Sequence, residues 1–244
     1  MIEKLPYATL RAFLTPFLMG AFRPMVKGLR NVPAKGPVII ASNHLSFSDS
    51  IFMPLVLPRK VTFLAKSEYF TSPGAKGFIK KITLIALGQV SVDRTGGRRS
   101  EAALITGLRV LAEGGCLGIY PEGTRSPDGR LYKGRTGIAR LAIESGAPVI
   151  AVAMSNTDKI QPTGKIVPIL HRVGMKFAEP MYFAGDSTDL QYLRVVTDQI
   201  MNKIQEMSGQ EHINIYAPKK SKPGSINPAI DLKKYWVDEF EEED

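Results

Sequence analysis

Cysteine is almost absent from this sequence. Its 244 residues hold a single one, Cys116, so a disulfide scaffold is excluded. Cys116 lies in the apolar run Gly115-Cys116-Leu117-Gly118-Ile119, where a buried, inert thiol is the expected state. Long apolar runs are missing too. An early uncharged stretch, Ala12 to Phe22, is 11 residues, against the roughly 20 that a spanning helix needs. The start, Met1-Ile2-Glu3-Lys4-Leu5, lacks the basic region and small-residue cleavage site of a signal peptide. The expected location is the cytosol or one side of a membrane. Internal repeats are absent as well. Acidic residues are scarce in one half only. Residues 1–99 carry 4 Asp and Glu against 15 Lys and Arg, whereas residues 100–244 carry 19 against 17. The net charge of +9 is therefore an N-terminal property. It favours an anionic partner: nucleic acid, an acidic membrane surface or a phosphorylated substrate.

What is present is an ordinary globular mixture, 44% hydrophobic and 23% charged, enough apolar surface for one domain with a full core. Along residues 5–22, Leu10, Phe13, Leu14, Phe17, Leu18 and Ala21 fall at helical spacing, with Pro16 expected to kink the helix. Such a helix either caps the core or lies in a lipid interface with Arg11, Arg23 and Lys27 at headgroup level. Beyond it, strands are expected at Val38–Ser42, Val61–Ala65, Gln89–Val92, Cys116–Tyr120, Val149–Met154 and Ile166–Phe177. Helices are expected at Asp49–Leu57, Pro73–Ile82, Ser100–Ala112, Gly134–Ser145 and Thr188–Met207. This alternation predicts an α/β domain: a mixed, largely parallel sheet flanked by helices. The expected organisation is an amphipathic segment at residues 1–30, the main α/β domain at 31–216 and a polar, acidic tail at 217–244.

Three stretches carry chemistry. In Ser42-Asn43-His44-Leu45-Ser46-Phe47-Ser48-Asp49 a strand ends, a histidine follows, and an aspartate stands where the next helix begins. Ligands of open α/β sheets bind at such strand ends. A turn brings the Asp49 carboxylate onto His44 Nδ1 and leaves Nε2 as a base. The same residues also suit a strand cap and a helix cap. No Gly-x-Ser-x-Gly nucleophile occurs, so a base here would act on a hydroxyl of the substrate. In Tyr120-Pro121-Glu122-Gly123-Thr124-Arg125-Ser126, Pro and Gly impose a turn, Glu122 can accept from hydroxyls, and Arg125 offers a fork for phosphate. The amides of Gly123 and Thr124 are candidates for an anion nest, although the stretch also suits a plain surface turn. In Gly88 through Arg94, a strand ends at a second phosphate candidate, Arg94. Arg98 and Arg99 then open a helix, where cations suit an arriving anion or a solvated loop alike.

Together and in this order, the three stretches resemble the conserved blocks of the glycerolipid acyltransferases, and in particular the bacterial enzymes that acylate 1-acyl-sn-glycerol-3-phosphate. His44-x4-Asp49 resembles the first block and Gly88–Arg94 the second. Tyr120 to Ser126 resembles the third, with Tyr in place of the usual Phe. Lys133-Gly134 and Val149-Ile150-Ala151-Val152 fall where later family runs are expected, with Ala151 where Pro is frequent. The likeness covers roughly residues 38–155.

The resemblance implies acyl transfer from an acyl-CoA or acyl-carrier protein to a glycerol phosphate acceptor, with no other cofactor and no metal. In that scheme His44 is the base and Asp49 orients it. Arg94 and Arg125 clamp the acceptor phosphate, Glu122 holds the glycerol end, Thr124 binds substrate beside them, and Gly123 lets the backbone approach. Phosphatidic acid would be the product; glycerol-3-phosphate itself or another lysolipid is the alternative acceptor. A membrane-delivered substrate also favours lipid contact by residues 5–22 and by Lys76-Gly77-Phe78-Ile79-Lys80-Lys81-Ile82, at the cytoplasmic face of the cell membrane. A non-enzymatic anionic-lipid-binding module is the other class of reading. Nucleic acid is disfavoured, because residues 100–244 are not basic and no binding motif occurs.

Overall fold

Val38–Ser42 (β2) and Val149–Ser155 (β7) are continuous apolar runs, each entered directly after a proline. Strands of this kind bury both faces and belong at the centre of a parallel sheet. A computed structural model describes residues 15–66, 88–92, 99–160 and 169–218, with Ala12 and Gly74. In it these two strands are neighbours in a seven-stranded sheet. The remaining members are Met25–Lys27 (β1), Val61–Lys66 (β3), Gln89–Val92 (β4), Cys116–Ile119 (β5) and Gly174–Phe177 (β8). Their order is β1-β8-β7-β2-β5-β3-β4. Only the β7–β8 pair is antiparallel; all the others are parallel. The sheet is mixed and largely parallel, flanked by helices, in one α/β domain.

Alternation along the central strands divides the core in two. Ile39, Ala41, Leu117, Val149 and Ala151 point to one face, under the helices Arg99–Ala112, Gly137–Ser145 and Leu190–Ser208. Val38, Ile40, Phe63, Ile150 and Val152 point to the other, against the helix Asp49–Val56. Each successive side chain changes face because the strand period is two. Cys116 is buried, as expected, and burial pushes its thiol up to about 12, so it stays protonated.

Several boundaries moved for identifiable reasons. Asp189, whose carboxylate accepts from the amides of Gln191 and Tyr192, caps the last helix, so it starts at Leu190 and not at Thr188. The helix expected from Gly134 begins at Gly137, since Arg135 donates its amide to Pro121 O at 2.9 Å. Of the strand expected over Ile166–Phe177, residues 166–168 lie outside the described residues, 169–173 are irregular and Gly174–Phe177 is extended. Met25–Lys27, grouped by sequence with the amphipathic segment, is an edge strand of the sheet. Two strands of two residues each, Leu131–Tyr132 (β6) and His212–Ile213 (β9), pair in parallel apart from the main sheet.

Residues 15–22 are helical. There Phe22 is buried, Leu18, Met19 and Ala21 pack on the second core, and Phe17 remains 69% exposed. This end of the amphipathic segment therefore packs on the core. No helix among the described residues is long and apolar enough to cross a membrane. Apart from Gly74, the expected Pro73–Ile82 helix with its Lys76–Ile82 patch lies outside the described residues, as do Arg94, Arg98 and the tail from residue 219.

Candidate active site

Because β2 and β5 are adjacent and parallel, the loops that follow them leave the same edge of the sheet side by side. That adjacency brings the stretch after Ser42 against the stretch after Ile119. Asn43 makes the first turn out of β2. Its Oδ1 accepts the Met154 N–H at 2.7 Å and its Nδ2 donates to Met154 O at 3.0 Å, so a side chain continues the β2–β7 ladder after the backbone departs. Nδ2 also donates to Gln210 Oε1 at 2.7 Å, and Gln210 Nε2 donates to Gly129 O at 2.6 Å.

His44 follows and turns toward Asp49, the first residue of its helix. His44 Nδ1 lies 2.8 Å from Asp49 Oδ2. The same oxygen accepts the amides of Leu45 at 2.8 Å and Ser46 at 2.9 Å, which aims the carboxylate back along the loop. An oxygen that already takes in two amide N–H groups is an acceptor, so Nδ1 is the donor of this pair, and in the neutral ring that tautomer has its lone pair on Nε2. Among the described residues no group hydrogen-bonds Nε2. Asp49 is fully buried and its Oδ1 has no partner among the described residues. The His44 side chain keeps 15% of its surface open.

The second loop holds the first. The imidazole stacks on the Tyr120 ring with centroids 3.8 Å apart and planes 10° off parallel, and Phe63 lies beyond Tyr120 at 5.4 Å. The Tyr120 hydroxyl meets Ser50 Oγ at 3.0 Å. Burial, with the negative charge of Asp49, pushes this phenol well above its usual range, so it stays neutral. Glu122 Oε1 accepts the His44 N–H at 3.1 Å, and Ser126 N–H donates to His44 O at 2.7 Å. Both backbone groups of His44 are thus fixed by the Tyr120–Ser126 loop.

Glu122 is 1% exposed, and its second oxygen accepts the Tyr132 N–H at 2.9 Å. Burial is the main cause that pushes its carboxyl up to about 7. The two amide bonds oppose the shift, and Asp49 and Asp128 add to it. Sequence offered Glu122 as an acceptor for substrate hydroxyls; here both of its oxygens bind amides of its own chain. Gly123 has φ +76°, a conformation that glycine adopts without strain. Its N–H donates to Tyr120 O at 2.9 Å, so this amide closes a turn and is not free for the anion nest expected with Thr124. Thr124 is half-buried and Arg125 exposed.

His44, Glu122, Gly123, Thr124 and Arg125 therefore lie on two neighbouring loops, with Asp49 opening the helix after the first, while Arg94 is outside the described residues. Sequence reading assigned no role to Asn43, Ser50, Gln210 or the Tyr120 ring. Asn43 and Tyr120 stand inside the quoted stretches, but only the folded geometry shows what they touch. No group of three or more His, Cys, Asp or Glu among the described residues suits a metal.

Known proteins resemble this chain in sequence. A 1-acyl-sn-glycerol-3-phosphate acyltransferase of Borreliella burgdorferi is 30% identical over 156 residues, 64% of this chain and 60% of that protein. A chloroplastic 1-acyl-sn-glycerol-3-phosphate acyltransferase of Brassica napus is 30% identical over 187 residues, 76% of this chain and 51% of that one. The chain thus spans about half to three-fifths of the length of these relatives. The crystal structure of a 1-acyl-sn-glycerophosphate acyltransferase from Thermotoga maritima superimposes with a TM-score of 0.59 at 24% identity, covering 82% of each chain, which shows a common fold. The acyltransferase family pattern matches residues 23–155. A match that takes in more than half of the sequence, from the edge strand to the end of β7, makes this chain a member of the acyltransferase family.

Proposed function

We propose that this protein transfers a fatty acyl group from an acyl thioester, acyl-CoA or acyl-carrier protein, to the free hydroxyl of 1-acyl-sn-glycerol-3-phosphate, giving phosphatidic acid. The observation that carries the reading is the buried Asp49 carboxylate, 2.8 Å from His44 Nδ1 and pinned by the Leu45 and Ser46 amides. That contact holds one tautomer and leaves Nε2 to take a proton. His44 Nε2 removes the proton from the acceptor hydroxyl as its oxygen attacks the thioester carbonyl carbon. The carbonyl oxygen becomes an oxyanion; the C–S bond then breaks, and the departing thiolate takes the proton from Nε2. Asp49 stabilises the imidazolium while it exists. Glu122 contributes through the backbone of His44, and Arg125, with Arg94, serves the acceptor phosphate.

The names of the relatives and the membership of the family support this chemistry. The acceptor comes from a bilayer, and the excess of positive charge in residues 1–99 suits work at an anionic membrane surface, on its cytoplasmic face. The test offers purified protein lysophosphatidate, glycerol-3-phosphate and acyl-CoA donors of graded length, with products identified by mass spectrometry. Phosphatidic acid formed from lysophosphatidate is the expected result. Product from glycerol-3-phosphate alone reassigns the acceptor, and no acylated product from any pair overturns the proposal.

A further inference from the structure

Next to the Tyr120–Ser126 loop stand two cations that the scheme above does not use. Lys133 and Arg135 both lie against the Tyr216 ring, with Lys133 Nζ 5.8 Å and the Arg135 guanidinium carbon 5.0 Å from its centroid. Those distances are within reach of a cation–π contact. Backbone bonds set the arrangement: Lys133 N–H donates to Ile215 O at 3.0 Å and Arg135 N–H to Pro121 O at 2.9 Å. From there the Arg135 side chain crosses Gly123. A Cβ added at Gly123 would stand 2.9 Å from Arg135 Nε and 3.2 Å from its Cδ, so a side chain at position 123 would displace it.

The charges around this cluster are uneven. Arg130, Arg140 and Arg194 each pair with a carboxylate, whereas neither Lys133 nor Arg135 forms an ion pair among the described residues. Arg135 is exposed, as is Arg125 two positions beyond Gly123. Two cations held on one ring repel each other, and an anion arriving between them relieves that repulsion. Glu122, the neighbour of Gly123, holds the His44 amide, so the cluster borders the loop that carries the base.

We infer that Arg135, held across Gly123 by the Tyr216 ring with Lys133 beside it, binds the phosphomonoester of the acceptor, which makes the segment after the last helix a wall of the acceptor site. The inference rests on the acyl-transfer reading and names a residue outside its motifs. A guanidinium suits the task because its planar fork meets two phosphate oxygens at once. Tyr216 supplies the aromatic face that orients it.

The test uses the full chain and compares wild type with Arg135→Gln, Arg135→Lys and Tyr216→Leu in steady-state kinetics with lysophosphatidate and acyl-CoA. Arg135→Gln should raise the KM for lysophosphatidate about tenfold or more, the scale of a lost charge-assisted hydrogen bond. It should leave the KM for acyl-CoA unchanged. Arg135→Lys should recover part of the loss, and Tyr216→Leu should give a smaller rise in the same constant. Calorimetric binding of glycerol-3-phosphate gives a readout apart from turnover, and Arg135→Gln should weaken it by a similar factor. An unchanged KM for lysophosphatidate in Arg135→Gln overturns the inference. A rise confined to acyl-CoA also overturns it and gives the cations to the donor's phosphates. If wild type transfers no acyl group, the parent reading fails, and equal binding of glycerol-3-phosphate by wild type and Arg135→Gln then rejects this inference on its own.

Discussion

His44 is held at its amide, its carbonyl, its Nδ1 and one face of its ring, each by a different residue. Such fixing leaves Nε2 as the ring nitrogen without a partner among the described residues, so damage to the proposed base is separable from damage to the fold. In Asp49→Asn an amide oxygen can still accept from Leu45, Ser46 and His44, but the negative charge is gone. The amide nitrogen would also occupy the buried place where Oδ1 has no partner. We expect kcat to fall by about 10²–10⁴, at a stability cost of about 1–3 kcal/mol, with circular dichroism unchanged. A variant within threefold of the wild-type rate would remove Asp49 from the chemistry.

Glu122 makes a different prediction at the same scale. Its carboxyl sits at about 7 in the fold against the ordinary 4.5. Between those values the native state holds a proton that the unfolded chain has lost, so stability falls as pH rises through that interval and levels off above it. The full penalty is on the order of 3 kcal/mol. Glu122→Gln does not titrate, so the wild-type stability relative to that variant should decline from pH 4.5 to 7 and stay flat above 8 in denaturant titrations. A difference independent of pH would mean that the carboxyl is not raised.

At the scale of the element, the join between β2 and β7 decides where His44 leaves the sheet. Asn43 satisfies both backbone groups of Met154 with one side chain. Asn43→Ala strands a buried donor and acceptor together, and we expect a loss of at least about 2 kcal/mol with a lowered Tm. A melting temperature equal to wild type would show that another group replaces the clasp. Strands, helices and the loops of the candidate site were legible in sequence because each rests on neighbours: the continuous apolar run in Val149–Ser155, or His44 and Asp49 five residues apart on one turn. Gln210 and Tyr216 were not legible. Their partners, Asn43 and Arg135, are far away in sequence, and β6 and β9, which bring them close, are too short to show any periodicity. Glu122 was half legible: the residue type marked the site, while its occupation by two amides depended on where Tyr132 came to lie. The N-terminal helix shows a similar split, since one helical stripe serves core and interface equally: Leu18 and Ala21 of that stripe pack on the core, and Phe17 of the same stripe stays exposed.

For the whole molecule, the asymmetry of charge is the feature with the widest reach. The surplus lies in residues 1–99, so attraction to an anionic bilayer should orient the protein with that part toward the lipid. We expect flotation with phosphatidylglycerol-containing vesicles, little with neutral ones, and a decline as salt rises toward 0.5 M. Removing residues 1–24 should weaken it, and unchanged flotation would place the contact elsewhere. The Asn43–Gln210 bond, which spans 167 residues, bears on a different matter, the order of assembly. Synthesis delivers His44 and Asp49 early, yet the side chain that holds Asn43 emerges only after the last long helix. Closing so distant a contact is slow compared with forming the helices. A ribosome-bound chain that ends before residue 210 therefore carries both members of the dyad without this clamp, and the finished loop is a late event in the folding of the protein.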